Sequence, residues 1–216
     1  MKANEAPQAA RPRILTIPGL WNSGADHWQT RWERERDDCA RIELGCWDDP
    51  IRTVWMSRID QAVYEARGDI VLVAHSLGCH AVAWWAKQLG PSGSAQVRGA
   101  LLVAPPDVDR TDADPRILRF GLTPIVTLPF RSVVVASRND PYATMVRSKE
   151  MARAWGAHLI DVGERGHINA ASNLGNWPDG QDMLSVLIGS DQGRPVARTG
   201  QLAGPPIANG ILHDRP

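Results

Sequence analysis

The chain has few cysteines and no excess of charge. Its three cysteines, Cys39, Cys46 and Cys79, form no C-x-x-C pair, which argues against a disulfide framework and favours a reducing compartment. The 24 basic residues balance 24 acidic ones. A chain without a basic surface is a poor match for nucleic acid or an anionic membrane, so we expect a small or uncharged partner.

Further absences concern targeting and cofactors. No apolar stretch reaches the roughly 18 residues that a membrane span needs, and the first residues, MKANEAPQAARPR, lack the apolar core of a signal peptide. We therefore expect a soluble, cytoplasmic protein. The sequence has no H-x-x-x-H spacing, no G-x-G-x-x-G and no G-x-x-x-x-G-K-[ST] motif. It thus predicts no metal ion, nucleotide or other cofactor.

The 216 residues suit a single domain with terminal extensions. Residues 1–12, rich in alanine and polar side chains, are expected to form a flexible arm. Residues 190–216 are dense in glycine and proline without periodicity, which predicts a mobile tail. The folded domain is therefore expected at 13–189.

Short β-branched runs alternate with helical patterns through this domain. The runs that predict strands are 14–18, 41–44, 69–75, 99–104, 132–137 and 157–162. The segments that predict helices are 24–37, 52–66, 77–89, 143–155 and 180–188, and Ser23 with Asp26 suggests a capped start for the first. This alternation predicts a doubly wound α/β sheet. Such sheets bind ligands at the carboxyl ends of their strands, so residues that follow strands are the candidates for function.

Ser76 follows the third predicted strand and precedes a helix. The string A-H-S-L-G matches the nucleophile elbow G-x-S-x-G with Ala74 at the first glycine position, where strand and helix approach closely. Such a serine presents its hydroxyl at the helix N-terminus, and the Leu77 amide points towards a developing oxyanion. A helix cap is the alternative interpretation, which the strand–turn–helix context disfavours. Backbone strain is expected first at Ala74.

Two acids and a histidine follow later strands. Asp140 follows SVVVAS, Asp107 follows the strand before it, and His167 lies in the loop G-E-R-G-H-I-N. Either acid completes the chain order Ser, Asp, His of α/β-hydrolases, with Ser76 first. Such a site needs a second amide donor from the loop after the first strand, and Leu20 is the candidate there.

Candidates for substrate binding are fewer and weaker. Trp21 and His27 lie in the loop after the first strand. Phe120 lies in the segment 107–130, which we interpret as a short cap, too small for a lid domain. Phe120 could line an acyl pocket, although ordinary packing explains it equally well. A short cap favours short-acyl or aryl esters.

Five strings together resemble one protein family: I-P-G-L-W-x-S-G-x-x-H-W-Q (17–29), V-A-H-S-L-G (73–78), L-L-V-A-P-P-D (101–107), S-R-N-D-P (137–141) and G-x-x-G-H-I-N (163–169). The chain is similar, over about 13–189, to the small serine hydrolases of the retinoblastoma-binding-protein and YdeN type. The resemblance implies an α/β-hydrolase fold of about six parallel strands with helices on both faces and no large lid domain. It also favours Asp140 over Asp107 as the acid of a triad with Ser76 and His167.

The leading hypothesis is a metal-independent serine hydrolase that cleaves a small ester or thioester through an acyl-enzyme intermediate. A non-catalytic binding protein on the same scaffold, and an acyltransferase or perhydrolase with the same nucleophile, are the alternatives. The L-x-C-x-E string linked with retinoblastoma binding is absent, and the nearest match is L-G-C-W-D at 44–48. No protein partner is therefore predicted.

Overall fold

The chain folds as alternating strands and helices, as the sequence pattern predicts. The computed structural model describes residues 11–189, so the predicted tail and residues 1–10 of the predicted arm lie outside the described residues. The strands are β1 (Arg13–Ile17), β2 (Cys39–Arg41), β3 (Ile70–His75), β4 (Val97–Val103), β5 (Arg131–Ala136) and β6 (His158–Asp161). The helices are α1 (Trp28–Glu35), α2 (Arg52–Glu65), α3 (Leu77–Gly93), α4 (Pro115–Leu118), α5 (Met145–Ala154) and α6 (Pro178–Gly189).

The strands form one sheet in which every pair is parallel, in the order β2-β1-β3-β4-β5-β6. The predicted doubly wound sheet is therefore confirmed. The strand order reverses between β1 and β3, and open α/β sheets bind ligands outside the carboxyl ends of the strands at such a reversal. The loops after β1 and β3 lie side by side at this point.

Helices cover both faces of the sheet because the central strands are apolar on both sides. All residues of β3 are buried. Leu72 belongs to a core cluster with side chains of α2, α3 and α5, whereas Val73 belongs to a second cluster with side chains of α1 and α6. The sheet therefore separates two apolar layers, and its carboxyl edge is held rigidly between them.

The clearest differences from the sequence-based prediction lie at the start of α1 and at β2. His27 rather than Ser23 is the N-cap of α1, since its side chain accepts a hydrogen bond from the Gln29 amide. The Ser23 hydroxyl instead donates to the Gln29 side chain. The strand predicted at 41–44 instead covers Cys39–Arg41. The Ile42 amide still donates to the Thr16 carbonyl of β1 at 3.0 Å, but Ile42 and Leu44 lie beyond the end of the strand and are buried in the core. The hydrophobic pattern of this segment therefore indicates burial more than strand pairing.

The connection between β4 and β5 reaches over the carboxyl edge of the sheet. Within the described residues its regular structure is the four-residue helix α4, so it forms a short cap and not a lid domain. In the part of the chain described, no helix is long and apolar enough to cross a bilayer.

Candidate active site

Ser76 lies on a strained turn between β3 and α3. Its backbone has φ 53° and ψ −126°, a conformation that costs free energy for a residue with a side chain. Ser76 is the N-cap of α3, yet its hydroxyl makes no capping hydrogen bond. Ala74 is a regular, fully buried strand residue that pairs with Ile17 and Leu102. The strain expected at Ala74 therefore lies two residues later, at the serine.

Two glycines allow β1 and α3 to approach each other at the turn. A Cβ atom on Gly78 would lie 2.4 Å from the Ile17 carbonyl oxygen. A Cβ atom on Gly19 would lie 2.7 Å from the Cβ of Ser76 and 3.1 Å from the Leu77 nitrogen. Neither site has room for a side chain, so the loop after β1 packs directly against the serine and the start of α3.

This packing brings the loop that carries Leu20 next to the serine, since a Cβ atom on Gly19 would lie 3.1 Å from the Ser76 Oγ. Among the described residues, neither the Leu20 nor the Leu77 amide donates to a protein acceptor. The neighbouring Trp21 amide, in contrast, donates to the Trp47 carbonyl at 3.0 Å. The Leu20 and Leu77 amides are therefore available to bind an oxyanion, whereas the Trp21 amide is already paired.

His167 connects the serine to an acid. Its Nε2 lies 2.9 Å from the Ser76 Oγ, and its Nδ1 lies 2.9 and 3.0 Å from the two carboxylate oxygens of Asp140. The carboxylate also accepts from the Tyr142 amide at 2.9 Å. With Nδ1–H donating to the carboxylate, Nε2 of the neutral ring is the acceptor for the serine proton. This is the geometry that a serine nucleophile, a histidine base and an orienting acid require.

Asp107, the second acid that the sequence suggests, lies elsewhere. Its carboxylate pairs with Arg147 of α5 at 3.1 Å and accepts from the Asp109 amide at 3.1 Å. It is buried in this ion pair and makes no hydrogen bond with His167 among the described residues. Asp140 is thus the acid that the fold brings to the histidine.

The loops that carry Asp140 and His167 are joined by side chains of the Asp140 loop itself. The Asn139 side-chain oxygen accepts from the Gly166 amide at 2.7 Å and from the Ser137 hydroxyl at 2.9 Å. Ser137 Oγ in turn accepts from the Arg165 amide at 2.8 Å. The S-R-N-D-P string therefore positions the histidine loop as well as supplying the acid.

The H-W-Q segment anchors the site from the opposite side. Trp28 Nε1 donates to the Ile168 carbonyl at 2.8 Å, next to His167. Gln29 Nε2 donates to the Val73 carbonyl at 2.9 Å, within β3. The segment is visible in the sequence as a motif, but these contacts are not, because the hydrogen bond of Trp28 joins residues 140 positions apart in the chain.

Two further histidines are packed beside the triad. The His75 ring lies 4.9 Å from that of His167 and 4.7 Å from that of His27, measured between centroids. Burial lowers the pKa of His27 to about 3 and holds the pKa of His75 well below its ordinary value. Both rings are therefore neutral near pH 7 and add no positive charge to the site.

A cavity of about 480 Å³ opens over Ser76. Trp21 and His27 line it, as the sequence suggests, and so do Ile117 of α4 and Tyr142, which sequence analysis did not select. The Tyr142 ring lies 4.5 Å from the His167 ring. The walls are mainly apolar and aromatic, which suits a small organic substrate.

Phe120 is a correction to the predicted substrate-binding set. Its ring is fully buried and packs edge-on against Trp55 of α2, with 5.3 Å between the centroids. Burial of this large apolar side chain in the core is favourable, and Phe120 is not part of the cavity wall. Ile117, three residues earlier on the cap, contributes to the wall instead.

A serine on a strained strand–helix turn, hydrogen-bonded through histidine to an acid at the carboxyl edge of a parallel sheet, defines the α/β-hydrolase class. Comparison of sequences then identifies the family. The profile of the family described as serine hydrolase matches residues 14–186. The chain therefore belongs to the serine hydrolase family. Among curated proteins, no sequence matches the chain.

Solved structures confirm the resemblance to small hydrolases of the YdeN type. A YdeN-like hydrolase from Pectobacterium atrosepticum is 31% identical, with a TM-score of 0.71, over 82% of this chain and 93% of that one. The ydeN gene product of Bacillus subtilis is 20% identical, with a TM-score of 0.64, over 82% and 99%. The type II thioesterase BorB of the borrelidin cluster shares the fold at 11% identity, with a TM-score of 0.60, over 85% and 94%.

Proposed function

We propose that this hydrolase cleaves small esters or thioesters, with Ser76 as nucleophile, His167 as general base and Asp140 as the acid that orients the imidazole. The observation that carries the proposal is the continuous hydrogen-bonded path from Ser76 Oγ through both ring nitrogens of His167 to Asp140. Such a path activates a hydroxyl that is otherwise a weak nucleophile near pH 7.

In the acylation step, Ser76 Oγ attacks the substrate carbonyl carbon and its proton passes to His167 Nε2. The Asp140 carboxylate stabilises the imidazolium that forms. The tetrahedral intermediate collapses, the carbon–oxygen or carbon–sulfur bond breaks, and His167 returns the proton to the leaving alcohol or thiol. Water then attacks the acyl-enzyme with His167 again as base, which releases the acid and restores Ser76.

The oxyanion of each tetrahedral intermediate would be held by the Leu20 and Leu77 amides. Both are unpaired with protein acceptors among the described residues, and Gly19 holds the two loops in contact. Preformed donors of this kind stabilise the transition state more than the ground state, and losing one costs about 3 kcal/mol. No metal ion is required for this chemistry.

The cavity favours a small substrate. Its volume of about 480 Å³ lies at the lower end of the range for small-molecule sites. Trp21 and Tyr142 offer aromatic surface, and Ile117 closes one side. We therefore expect short-acyl or aryl esters and thioesters to be cleaved faster than long-chain lipids.

The test combines a fluorophosphonate probe, which labels activated serines, with a panel of p-nitrophenyl esters and acyl thioesters. We expect labelling and turnover in the wild-type protein. Ser76→Ala should lower both by about 10⁴-fold or more while the thermal unfolding midpoint is retained. Ser185→Ala, at an exposed serine of α6, is the matched control and should leave both unchanged.

Two outcomes would contradict the proposal. Retained turnover in Ser76→Ala would exclude this serine as the nucleophile. A folded wild-type protein that is neither labelled nor active would favour a non-catalytic binding protein on the hydrolase scaffold.

A further inference from the structure

His27 carries a buried polar hydrogen that the protein leaves without a partner. Its Nδ1 accepts from the Gln29 backbone amide at 3.2 Å, so in the neutral ring the proton must be on Nε2. The residue is 4% exposed, and among the described residues its Nε2 has no hydrogen-bond partner. A buried N–H without an acceptor costs free energy, so each such group calls for an explanation.

The position of the His27 ring suggests a role for this N–H in substrate binding. His27 lines the same cavity as Ser76 and His167, and it reaches His167 through the ring of His75. Burial lowers its pKa to about 3, so the ring is a neutral donor throughout the working range of a triad. It cannot act as a second base, because its one unprotonated nitrogen is occupied by the Gln29 amide.

Neighbouring polar side chains of the cavity are already engaged through their acceptor atoms. Asn22 Oδ1 accepts from Arg41 and from the Ser23 amide. Asn169 Oδ1 accepts from the Ala171 amide. The His27 Nε2–H differs from these because it is a donor, on a residue of the cavity wall, that has no partner among the described residues.

We infer that the Nε2–H of His27 donates a hydrogen bond to the substrate, which must therefore carry an acceptor oxygen in addition to its reacting carbonyl. The inference rests on the proposed function and narrows its substrate class. The reacting oxygen is assigned to the amides of Leu20 and Leu77, so His27 needs a second acceptor. An ether, hydroxyl or carbonyl oxygen in the acyl or the alcohol part has this chemistry, whereas a plain alkyl chain does not.

The experiment uses pairs of esters that differ by one oxygen at equal length. In the acyl arm, p-nitrophenyl methoxyacetate is compared with p-nitrophenyl butyrate. In the alcohol arm, 2-methoxyethyl butyrate is compared with butyl butyrate, with acid release followed by titration. Values of kcat/KM are measured for the wild-type protein and for His27→Asn. Asparagine keeps an acceptor suited to the N-cap of α1 but has no donor at the position of Nε2.

We expect the preference for the ether ester to fall about fivefold in His27→Asn, in at least one arm, since one neutral hydrogen bond is lost. The intrinsic reactivities of the esters cancel when the two proteins are compared. A second measurement needs no substitution. For each pair of esters, the ratio of the wild-type kcat/KM values, ether ester to alkyl ester, is divided by the ratio of the rates at which hydroxide hydrolyses the same two esters. This quotient should favour the ether ester by about the same factor.

Equal preferences in wild type and His27→Asn, in both arms, would overturn the inference while fluorophosphonate labelling of the wild-type protein still supports the triad. If His27→Asn does not fold, a wild-type quotient near one in both arms overturns it equally. Absence of both labelling and turnover in the wild-type protein would overturn the proposed function, and this inference with it.

Discussion

Replacing Gly78 by alanine tests the geometry of the turn at Ser76. The added Cβ would lie 2.4 Å from the Ile17 carbonyl oxygen and 2.7 Å from that of Pro18. Both are backbone atoms of the β1 end, which is clamped in the sheet, so α3 must move away instead. Reaching even 3.0 Å, the shortest separation that Cβ atoms tolerate, requires a retreat of roughly 0.6 Å, and overpacking of this kind costs about 1–3 kcal/mol.

The retreat also separates the two predicted oxyanion donors. The Leu77 amide moves with α3, whereas the Leu20 amide stays with β1. Because a misplacement of about 1 Å near a reacting centre can cost about 100-fold in rate, we expect labelling of Gly78→Ala by the fluorophosphonate probe to slow by one to two orders of magnitude. Labelling rates and urea unfolding are measured on the same preparations.

Gly189→Ala is the matched control, since a Cβ atom at this α6 glycine meets nothing within 4 Å. It should leave the labelling rate unchanged and alter stability by no more than about 1 kcal/mol. A Gly78→Ala protein with wild-type stability and labelling would refute the reasoning, because it would show that α3 and β1 are not in rigid contact.

Two further predictions concern the acids, and a third concerns the pH dependence of stability. Asp140→Asn should lower kcat by about 10⁴-fold by stabilising the wrong imidazole tautomer, measured on p-nitrophenyl esters. Asp107→Asn should leave turnover within a few-fold but lower the unfolding free energy by about 1–2 kcal/mol, because it weakens the ion pair with Arg147. Burial lowers the pKa of His80 to about 4 from an ordinary value of 6.5. Between pH 6.5 and 4 the imidazole of His80 is protonated in the unfolded chain but neutral in the folded protein. His80 should therefore lower the free energy of unfolding by about 1.4 kcal/mol for each pH unit below 6.5 in this range. In urea unfolding, the free energy of unfolding of His80→Gln should fall correspondingly less steeply between pH 6.5 and 4.

Each of these predictions has a result that would count against it. A larger loss of activity in Asp107→Asn than in Asp140→Asn would reverse the assignment of the acid. An unchanged pH slope in His80→Gln, whose amide can still donate to the Pro106 carbonyl that faces His80, would show that the buried imidazole is not held neutral by the fold.

Local sequence patterns predicted the alternation of strands and helices because backbone preference and burial are short-range properties. The first five residues of β3, Ile70–Ala74, are apolar on both faces of the strand, so they predict a central strand wherever the chain places it. The signal for the turn at Ser76 is equally local. A small residue before the serine and Gly78 after it are typical of a tight strand–helix junction. The strand predicted at 41–44 had wrong boundaries because local hydrophobicity does not distinguish a strand from other buried chain. Its apolar residues after Arg41 are buried in the core beyond the end of the strand.

What the sequence by itself determined was therefore the layered α/β architecture, the serine turn and the order of the candidate catalytic residues along the chain. The tertiary structure decided between Asp107 and Asp140, which follow strands equally well but meet different partners, Arg147 and His167. It also buried Phe120 in the core and left the His27 donor unpaired in the cavity wall. These outcomes depend on which strands become neighbours and on how side chains far apart in the chain compete for one space, and no local pattern contains that information.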